Sequence, residues 1–272
     1  MTEPARAAAT ASAAAAAALI ASTRLGGELL GDLGENIRPP TELDAYRVQA
    51  ITRRLLETAG FGRQSGWKIG CTTKVMQAYL NIASPCAGTM FQANTWHGRH
   101  AFAVPPRGRL GVECEIAVRL ARDLTPTGSE FTADSVAGAI DAYHPAIEIV
   151  DDRYADWRTI GAPTLVADDF FAAGCVLGAA VSRARAPDML DVIGRATING
   201  VEAGRGGGAD VLGHPHAALA WLANHLAAEG NHLRAGQIVL TGSLVQTIWL
   251  SAGDKAVMEL RGLGTVGATF HA

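Results

Sequence analysis

Lysine is scarce in this 272-residue chain: only three of its 23 basic residues are lysines, and no basic cluster occurs. With a formal net charge of −3, the chain lacks the electrostatic footprint of a nucleic-acid-binding protein. Cysteine is also sparse, because the four cysteines lie far apart and form no Cys-x-x-Cys pair. A zinc site or a disulfide framework is therefore not expected, and a reducing, cytoplasmic setting is favoured.

Long, strongly apolar runs are missing as well. No stretch of about 20 such residues occurs, so no membrane span is expected. Residues 7–22 are almost wholly alanine with small polar residues, which is compatible with a secretory signal or with an N-terminal helix. Glu3 in the would-be basic region and the high helix propensity of alanine favour the helix.

Helix patterns dominate the start of the chain, and short strand patterns follow Gly60. Helices are predicted at 42–58, 73–81, 133–142 and 215–229. Strands are predicted at 66–71, 111–121, 145–150, 173–181, 195–201, 237–241, 247–251, 255–261 and 265–270. This order is not a regular βαβ alternation and predicts the α+β class. We expect an N-terminal helical segment at 1–60 and a catalytic domain at 61–272 that forms one structural unit.

Carboxylates are grouped in two of the predicted strands. Alternation places Glu113 and Glu115 on one face of their strand, with Cα atoms about 6.7 Å apart, while Cys114 and Ile116 share the apolar face. At an effective dielectric of 20, two charges at that separation repel by about 2.5 kcal/mol. In a pocket the pair needs a cation or a proton, whereas on a solvated strand edge it needs neither.

Glu148 is a lone charge in an apolar strand, with Ile147 and Ile149 on either side. Together with Glu113 and Glu115 it makes a carboxylate set of the kind that suits Mg²⁺ or Mn²⁺. Three protein oxygens would leave about three octahedral positions for water or substrate. On spacing alone, a solvated edge remains the alternative to a metal site.

Lys68 lies within Gly66-Trp67-Lys68-Ile69-Gly70, between an aromatic and a β-branched residue. A desolvated lysine there could serve in acid–base chemistry, and a surface lysine is the alternative. The run at 204–208 contains four glycines and Arg205 and could hold an anion, but it lacks a phosphate-loop sequence and is interpreted as a loop. His214 before Pro215 is interpreted as a structural turn residue.

Several short motifs occur together along residues 42–270. They are Gly66-Trp67-Lys68-Ile69-Gly70, Gly88-Thr89-Met90-Phe91, Glu113-Cys114-Glu115-Ile116-Ala117, Pro145-Ala146-Ile147-Glu148-Ile149-Val150, Arg153 with Asp156-Trp157, Val166-Ala167-Asp168, Gly204-Arg205-Gly206, Leu212-Gly213-His214-Pro215, Leu240-Thr241-Gly242-Ser243 and Ala252-Gly253-Asp254. In this order they resemble the 2-oxopent-4-enoate hydratase and 4-oxalocrotonate decarboxylase family of the fumarylacetoacetate hydrolase superfamily.

The resemblance implies a mixed, rolled β-sheet core with peripheral helices, assembled into homo-oligomers. It implies that Glu113, Glu115 and Glu148 bind Mg²⁺ or Mn²⁺ and that Lys68 is a catalytic acid/base acting on a small 2-oxo acid. Contacts with the substrate are expected from Gly88, Thr241 and Ser243 in these motifs and from Cys86, which lies just before the second of them.

One position departs from the family pattern. Hydratases of this family usually have an aspartate after the proline where this chain has Pro85-Cys86-Ala87-Gly88. A thiol with a pKa of about 8.5 is mostly protonated at neutral pH and is not an equivalent base. The decarboxylase branch has an apolar residue there, so the absence of the aspartate at position 86 favours that branch.

The expected function is hydration of a 2-oxo-4-enoic acid such as 2-hydroxypenta-2,4-dienoate. The alternatives are a 4-oxalocrotonate-type decarboxylase, an acylpyruvate-type C–C hydrolase and a non-catalytic partner subunit. Hydrolases of that type often use a His-Glu pair on an N-terminal lid, and the first 60 residues contain no histidine. Retention of the three glutamates and Lys68 argues against a non-catalytic subunit.

Overall fold

The computed structural model describes residues 3–272, with the side chains of all of these except residues 4–7, 74, 75 and 79. The helices are α1 (Glu3–Gly26), α2 (Glu42–Leu56), α3 (Lys74–Leu80), α4 (Ala133–Ala137), α5 (Ala162–Ala167) and α6 (Pro215–Ala228). The strands are β1 (Gln64–Gly70), β2 (Cys86–Phe91), β3 (Thr95–His97), β4 (Arg99–Ala103), β5 (Arg109–Leu120), β6 (Ile140–Asp152), β7 (Ala172–Leu177), β8 (Val181–Ser182), β9 (Ile193–Ile198), β10 (Val201–Gly207), β11 (Ile238–Ser243), β12 (Ile248–Trp249), β13 (Lys255–Leu260) and β14 (Gly264–His271).

The strands form two mixed sheets. The larger follows the order β2-β1-β11-β5-β6-β7-β3, with β12 added beside β5 and β8 beside β6, and the smaller follows β10-β9-β13-β14-β4. Strand β1 is parallel to β11 and antiparallel to β2, so a strand from near the start of the chain is inserted beside one from near its end. The predicted α+β class with mixed, curled sheets is confirmed.

Helix α1 packs into the folded body. By length and composition alone, residues 8–26 could cross a membrane. However, Ala16, Ala17 and Ile20 are buried within the same continuous apolar core as the sheet residues. Near the end of α1, Arg24 forms an ion pair of 2.9 Å with the buried Asp169. The prediction that the alanine-rich start forms a helix is therefore confirmed.

Two of the predicted helices begin after a residue whose side chain caps them. Helix α2 begins after Thr41, whose hydroxyl accepts a hydrogen bond of 3.2 Å from the Asp44 backbone N–H. Helix α6 begins after His214, whose Nδ1 accepts a hydrogen bond of 2.9 Å from the His216 N–H. His214 is thus a helix-capping residue, as its interpretation as a structural turn histidine anticipated.

Two predictions are wrong. The helix expected at 133–142 ends at Ala137, because residues from Ile140 onwards pair with β5 as part of the 13-residue strand β6. The segment at 204–208, expected to be a loop, instead supplies the end of β10, which pairs with β9. Its glycines serve packing: a Cβ at Gly206 would lie 1.7 Å from the Leu244 carbonyl oxygen.

Candidate metal centre and active site

Three carboxylates converge on one face of the larger sheet. Glu113 and Glu115 lie on β5, and Glu148 lies directly opposite Glu113 on the antiparallel strand β6. One carboxylate oxygen from each lies within 4.8 Å of the other two. Glu115 and Glu148 are buried, and Glu113 is half-buried. The predicted alternation is confirmed, since Glu113 and Glu115 direct their carboxylates to one site, whereas Cys114 between them is buried in the apolar core.

Lys68 reaches the same cluster from β1. Its Nζ lies 2.9 Å from Glu148 Oε1, and both side chains are almost completely buried. Strands β11 and β5 separate β1 from β6 in the sheet order. In a flat sheet these three strand spacings would amount to about 14 Å, so the ion pair depends on the curl of the sheet. Lys68 is therefore an interior lysine and not a surface one.

Hydrogen bonds from the end of β11 and from the segment that follows it hold two of the carboxylates. The Gly242 backbone N–H donates to Glu115 Oε2 at 2.9 Å, and the Thr247 hydroxyl donates to Glu113 Oε1. One oxygen of each carboxylate is thereby oriented by the protein. Among the residues that the structure describes, neither Glu115 Oε1 nor Glu148 Oε2 has a hydrogen-bond partner.

The cluster perturbs the ionisation of its own members. Burial, together with the negative charge of Glu148, raises the pKa of Glu113 to about 7. Burial, followed by the charges of Glu148 and Glu113, raises the pKa of Glu115 well above its ordinary value. Burial alone would lower the pKa of Lys68. The negative charges of Glu148 and Glu113 outweigh this effect, so the pKa of Lys68 is raised above its ordinary value.

These observations fit a bound divalent cation. Two unpartnered, buried carboxylate oxygens are costly unless something positive or a proton satisfies them. The donor set consists entirely of oxygen atoms, which hard cations such as Mg²⁺ and Mn²⁺ prefer. Without a cation, the raised pKa values of Glu113 and Glu115 indicate that the cluster retains protons near neutral pH.

Of the other residues predicted to contact the substrate, Gly88 lies beside Lys68, whereas Thr241 and Ser243 form hydrogen bonds with the backbone. Gly88 lies opposite Lys68 in the pairing of β1 with β2, and a Cβ there would be 3.2 Å from Lys68 Cε. Thr241 is buried and its hydroxyl donates to the Ile116 carbonyl at 2.8 Å. The Ser243 hydroxyl donates to the Val245 carbonyl at 2.6 Å. The hydroxyl protons of Thr241 and Ser243 are thus engaged by the backbone.

Cys86 lies at the start of β2, opposite Gly70, and is fully buried. A hydrogen bond with the Cys71 thiol, together with burial, raises the pKa of Cys86 well above its ordinary value. Cys86 is therefore a neutral thiol at physiological pH, in agreement with the expectation that it cannot serve as a base.

The sequence did not reveal Phe170, whose ring centroid lies 5.2 Å from Lys68 Nζ. Asp169, Phe170 and Phe171 all have positive φ angles, of 58°, 48° and 64°. Such a conformation is uncommon for residues other than glycine, and no local pattern predicts it in an aromatic pair. Thr247 was also missed, because its place beside Glu113 arises from a loop that only the tertiary structure positions.

Comparison with known proteins shows that this chain is similar to enzymes. The model of the fumarylacetoacetate (FAA) hydrolase C-terminal family matches residues 82–271. A 2-hydroxyhexa-2,4-dienoate hydratase from Comamonas testosteroni is 35% identical over 243 residues, covering 89% of this chain and 90% of its own. A 2-keto-4-pentenoate hydratase from Burkholderia vietnamiensis is 36% identical over 226 residues, covering 83% and 85%.

Among solved structures, this chain is similar to 4-oxalocrotonate decarboxylase from Pseudomonas putida G7 complexed with magnesium and adipate. The TM-score is 0.88 at 28% sequence identity, and the alignment covers 95% of this chain and 97% of the decarboxylase. These similarities confirm the family resemblance predicted from the sequence motifs.

Proposed function

The chain belongs to the fumarylacetoacetate hydrolase family, and from that membership we propose that it is a metal-dependent hydratase that adds water to a 2-oxo-4-enoic acid such as 2-hydroxypenta-2,4-dienoate. The observation that carries this proposal is the convergence of Glu113, Glu115 and Glu148 beside the buried ammonium of Lys68. The relatives that support hydration align over most of this chain.

We assign Glu113, Glu115 and Glu148 as the residues that would hold Mg²⁺ or Mn²⁺. A divalent cation supplies Lewis-acid stabilisation of negative charge on the oxygens of a 2-oxo acid. The unpartnered carboxylate oxygens and the raised pKa of Glu113 support this assignment. Thr247 and Gly242 act as positioning residues, because each fixes one oxygen of a proposed ligand.

Lys68 is the proposed proton carrier. Beside the carboxylates, Nζ is held as an ammonium in the metal-free protein, and in that form it would deliver a proton to carbon as the substrate passes from its enol to its keto form. Water then adds at C4 of the conjugated enone. The ion pair with Glu148 holds Nζ beside the carboxylates, and burial keeps bulk water from competing for the proton.

A 4-oxalocrotonate-type decarboxylase is the second candidate. The similarity in structure to such a decarboxylase over 95% of this chain favours it. Both reactions stabilise the same negative charge at C1 and C2, and they differ at the distal end of the substrate. The two candidates are therefore distinguished by substrate and not by the carboxylate cluster.

Ultraviolet-monitored turnover of 2-hydroxypenta-2,4-dienoate and of 4-oxalocrotonate, each with Mg²⁺, Mn²⁺ or EDTA, tests the proposal. We expect metal-dependent loss of the dienoate without release of carbon dioxide. Glu113→Gln and Lys68→Met should each lower kcat/KM by about 100-fold or more. Glu259→Gln and Lys255→Met, on β13 of the smaller sheet, are the matched controls and should retain activity.

Full activity of Glu113→Gln or Lys68→Met would overturn the proposed roles. Carbon dioxide release from 4-oxalocrotonate, with no loss of the dienoate, would establish the decarboxylase instead. Metal binding without turnover of any 2-oxo acid would favour a non-catalytic partner subunit.

We propose further that the protein acts as a homo-oligomer in the cytoplasm. The family resemblance supports assembly, and the free thiols of Cys71, Cys86, Cys114 and Cys175 support a reducing compartment. Size-exclusion chromatography with light scattering measures the assembly, and a monomeric mass at assay concentration would contradict it.

A further inference from the structure

Phe170 closes one side of the space around Lys68. Its ring lies over Nζ at 5.2 Å, while Glu148 Oε1 approaches the same nitrogen at 2.9 Å. Gly70 leaves room for the ring, because a Cβ there would lie 2.8 Å from Phe170 Cδ1 and 3.4 Å from Nζ. The ammonium is therefore bordered by the carboxylates and by an aromatic face.

The segment that carries Phe170 is firmly anchored. The Phe170 backbone N–H donates to the Leu165 carbonyl at 2.7 Å. The Asp169 carboxylate accepts hydrogen bonds from the Thr89 N–H at 2.8 Å and from Arg24 at 2.9 Å. Three consecutive residues with positive φ persist only where their surroundings fix them. Phe170 is thus a fixed wall and not a mobile side chain.

A bound 2-oxo acid would present its distal carbons to this wall. Its carboxylate and 2-oxo oxygens belong at the three glutamates, where the cation would be held, and Lys68 must reach a carbon beyond C2 to move the proton. Carbons that extend past Nζ on this side would meet the ring of Phe170. The face of an aromatic ring carries partial negative charge, so it attracts a cation, accepts apolar groups and repels a carboxylate.

We infer that Phe170 is a specificity-determining residue that selects 2-hydroxy-2,4-dienoates with a hydrogen or a short alkyl group at the distal end over those that end in a carboxylate. This inference rests on the proposed function, because it assumes that the three glutamates hold the head of a 2-oxo acid. It assigns to this site a class of monocarboxylate substrates with apolar tails.

The test measures kcat/KM of the full-length enzyme with Mg²⁺ on three substrates: 2-hydroxypenta-2,4-dienoate, 2-hydroxyhexa-2,4-dienoate and 2-hydroxymuconate. We expect the wild type to turn over the two monocarboxylates more efficiently than the dicarboxylate. Phe170→Ala should lower the ratio of hexadienoate to pentadienoate turnover about tenfold, the usual value of one methyl group in an apolar pocket. Phe170→Leu, which keeps apolar bulk, should change this ratio less.

Phe102→Leu is the matched control. Phe102 is a buried phenylalanine on β4 of the smaller sheet, where its ring packs against Trp96 and Phe270 at 4.9 and 5.4 Å. The control should leave the substrate ratios unchanged, and thermal unfolding of each variant checks that the fold is retained. Equal loss of activity on all three substrates in the Phe170 variants, or a wild-type preference for the dicarboxylate, would overturn the inference.

Calorimetric binding of 2-oxohexanoate and 2-oxoadipate with Mg²⁺ separates the inference from the proposed function. If the wild type prefers 2-oxohexanoate and Phe170→Ala abolishes this preference, the specificity role of Phe170 is supported even when no dienoate is turned over. In that case only the hydratase proposal fails. Conversely, turnover of dienoates with ratios that Phe170→Ala does not change would leave the hydratase standing and refute the role of Phe170.

Discussion

Glu113 and Glu115 are buried carboxyl groups whose negative charge can be neutralised either by a proton or by a bound cation. Burial and the neighbouring carboxylates favour the protonated forms, while the hydrogen bonds from Thr247 and Gly242 favour the ionised forms. The first influence is larger, since both pKa values are raised. A cation reverses this balance, because it can bind only after the protons have left.

This coupling predicts a pH-dependent effect of metal on stability. The pKa of Glu113 rises from its ordinary value of 4.5 to about 7 in the fold, so the metal-free protein loses stability as pH rises through that window. Mg²⁺ should therefore raise the melting temperature more at pH 8 than at pH 6, as measured by thermal unfolding with and without the ion. Glu113→Gln should reduce this difference, and equal shifts at both pH values would contradict the prediction.

The residue-level predictions succeeded where the information was local. Alternation along β5 was sufficient to place Glu113 and Glu115 on one face and Cys114 on the other. The pairing of Glu148 with Glu113 and the contact of Lys68 with Glu148 depend on strand order and sheet curl, which alternation does not specify. Phe170 depends on an unusual backbone conformation that no residue pattern announced.

At the scale of elements, helix α1 does more than cover the sheet. Arg24 crosses from its last turn to the carboxylate of Asp169, next to the residue that forms the wall beside Lys68. Composition predicted the helix, but it gave no sign that the single arginine near its end has this partner 145 residues later.

Removal of this contact is expected to be costly. Arg24→Ala should lower the free energy of unfolding by about 3–5 kcal/mol, because it leaves the buried carboxylate of Asp169 without its ion-pair partner. Urea denaturation measures the change. Arg38→Ala is the control, since Arg38 pairs with Asp32 at the exposed surface and should contribute little. Equal effects of the two substitutions would show that the Arg24 pair has no special role.

The two incorrect element predictions share a physical cause. Residues 139–142 and the glycines at 204–208 have local compositions that suggest a helix and a loop, yet strand pairing with β5 and with β9 outweighs those preferences. Element type followed from the sequence wherever hydrophobic periodicity extended over a full element, as in α6 and β5. The prediction of element type was wrong where pairing with a neighbouring strand determined the structure.

At the scale of the whole molecule, the apolar core extends without interruption from α1 to β14. Ala17 and Ile20 of the first helix lie in the same cluster as Met258 and Phe270 of the last strands. The division into a helical segment at 1–60 and a catalytic domain at 61–272 remains a prediction. Because the two parts share one apolar core, we expect them to unfold together.

We therefore expect a single cooperative unfolding transition. Differential scanning calorimetry of the metal-free protein should give one peak. Circular dichroism and tryptophan fluorescence should report the same midpoint. A separate low-temperature transition for the N-terminal helices would contradict the prediction and would indicate an independent helical unit.

The parallel pairing of β1 with β11 has a consequence for how the protein is made. Lys68 lies beside Leu240, so strand β1 has no partner on this side until a segment some 170 residues later has been synthesised. Contacts of such long range form late and slowly. During translation β1 therefore has an open edge until nearly the whole polypeptide has left the ribosome, and a nascent chain that stops before residue 238 exposes that edge to other chains.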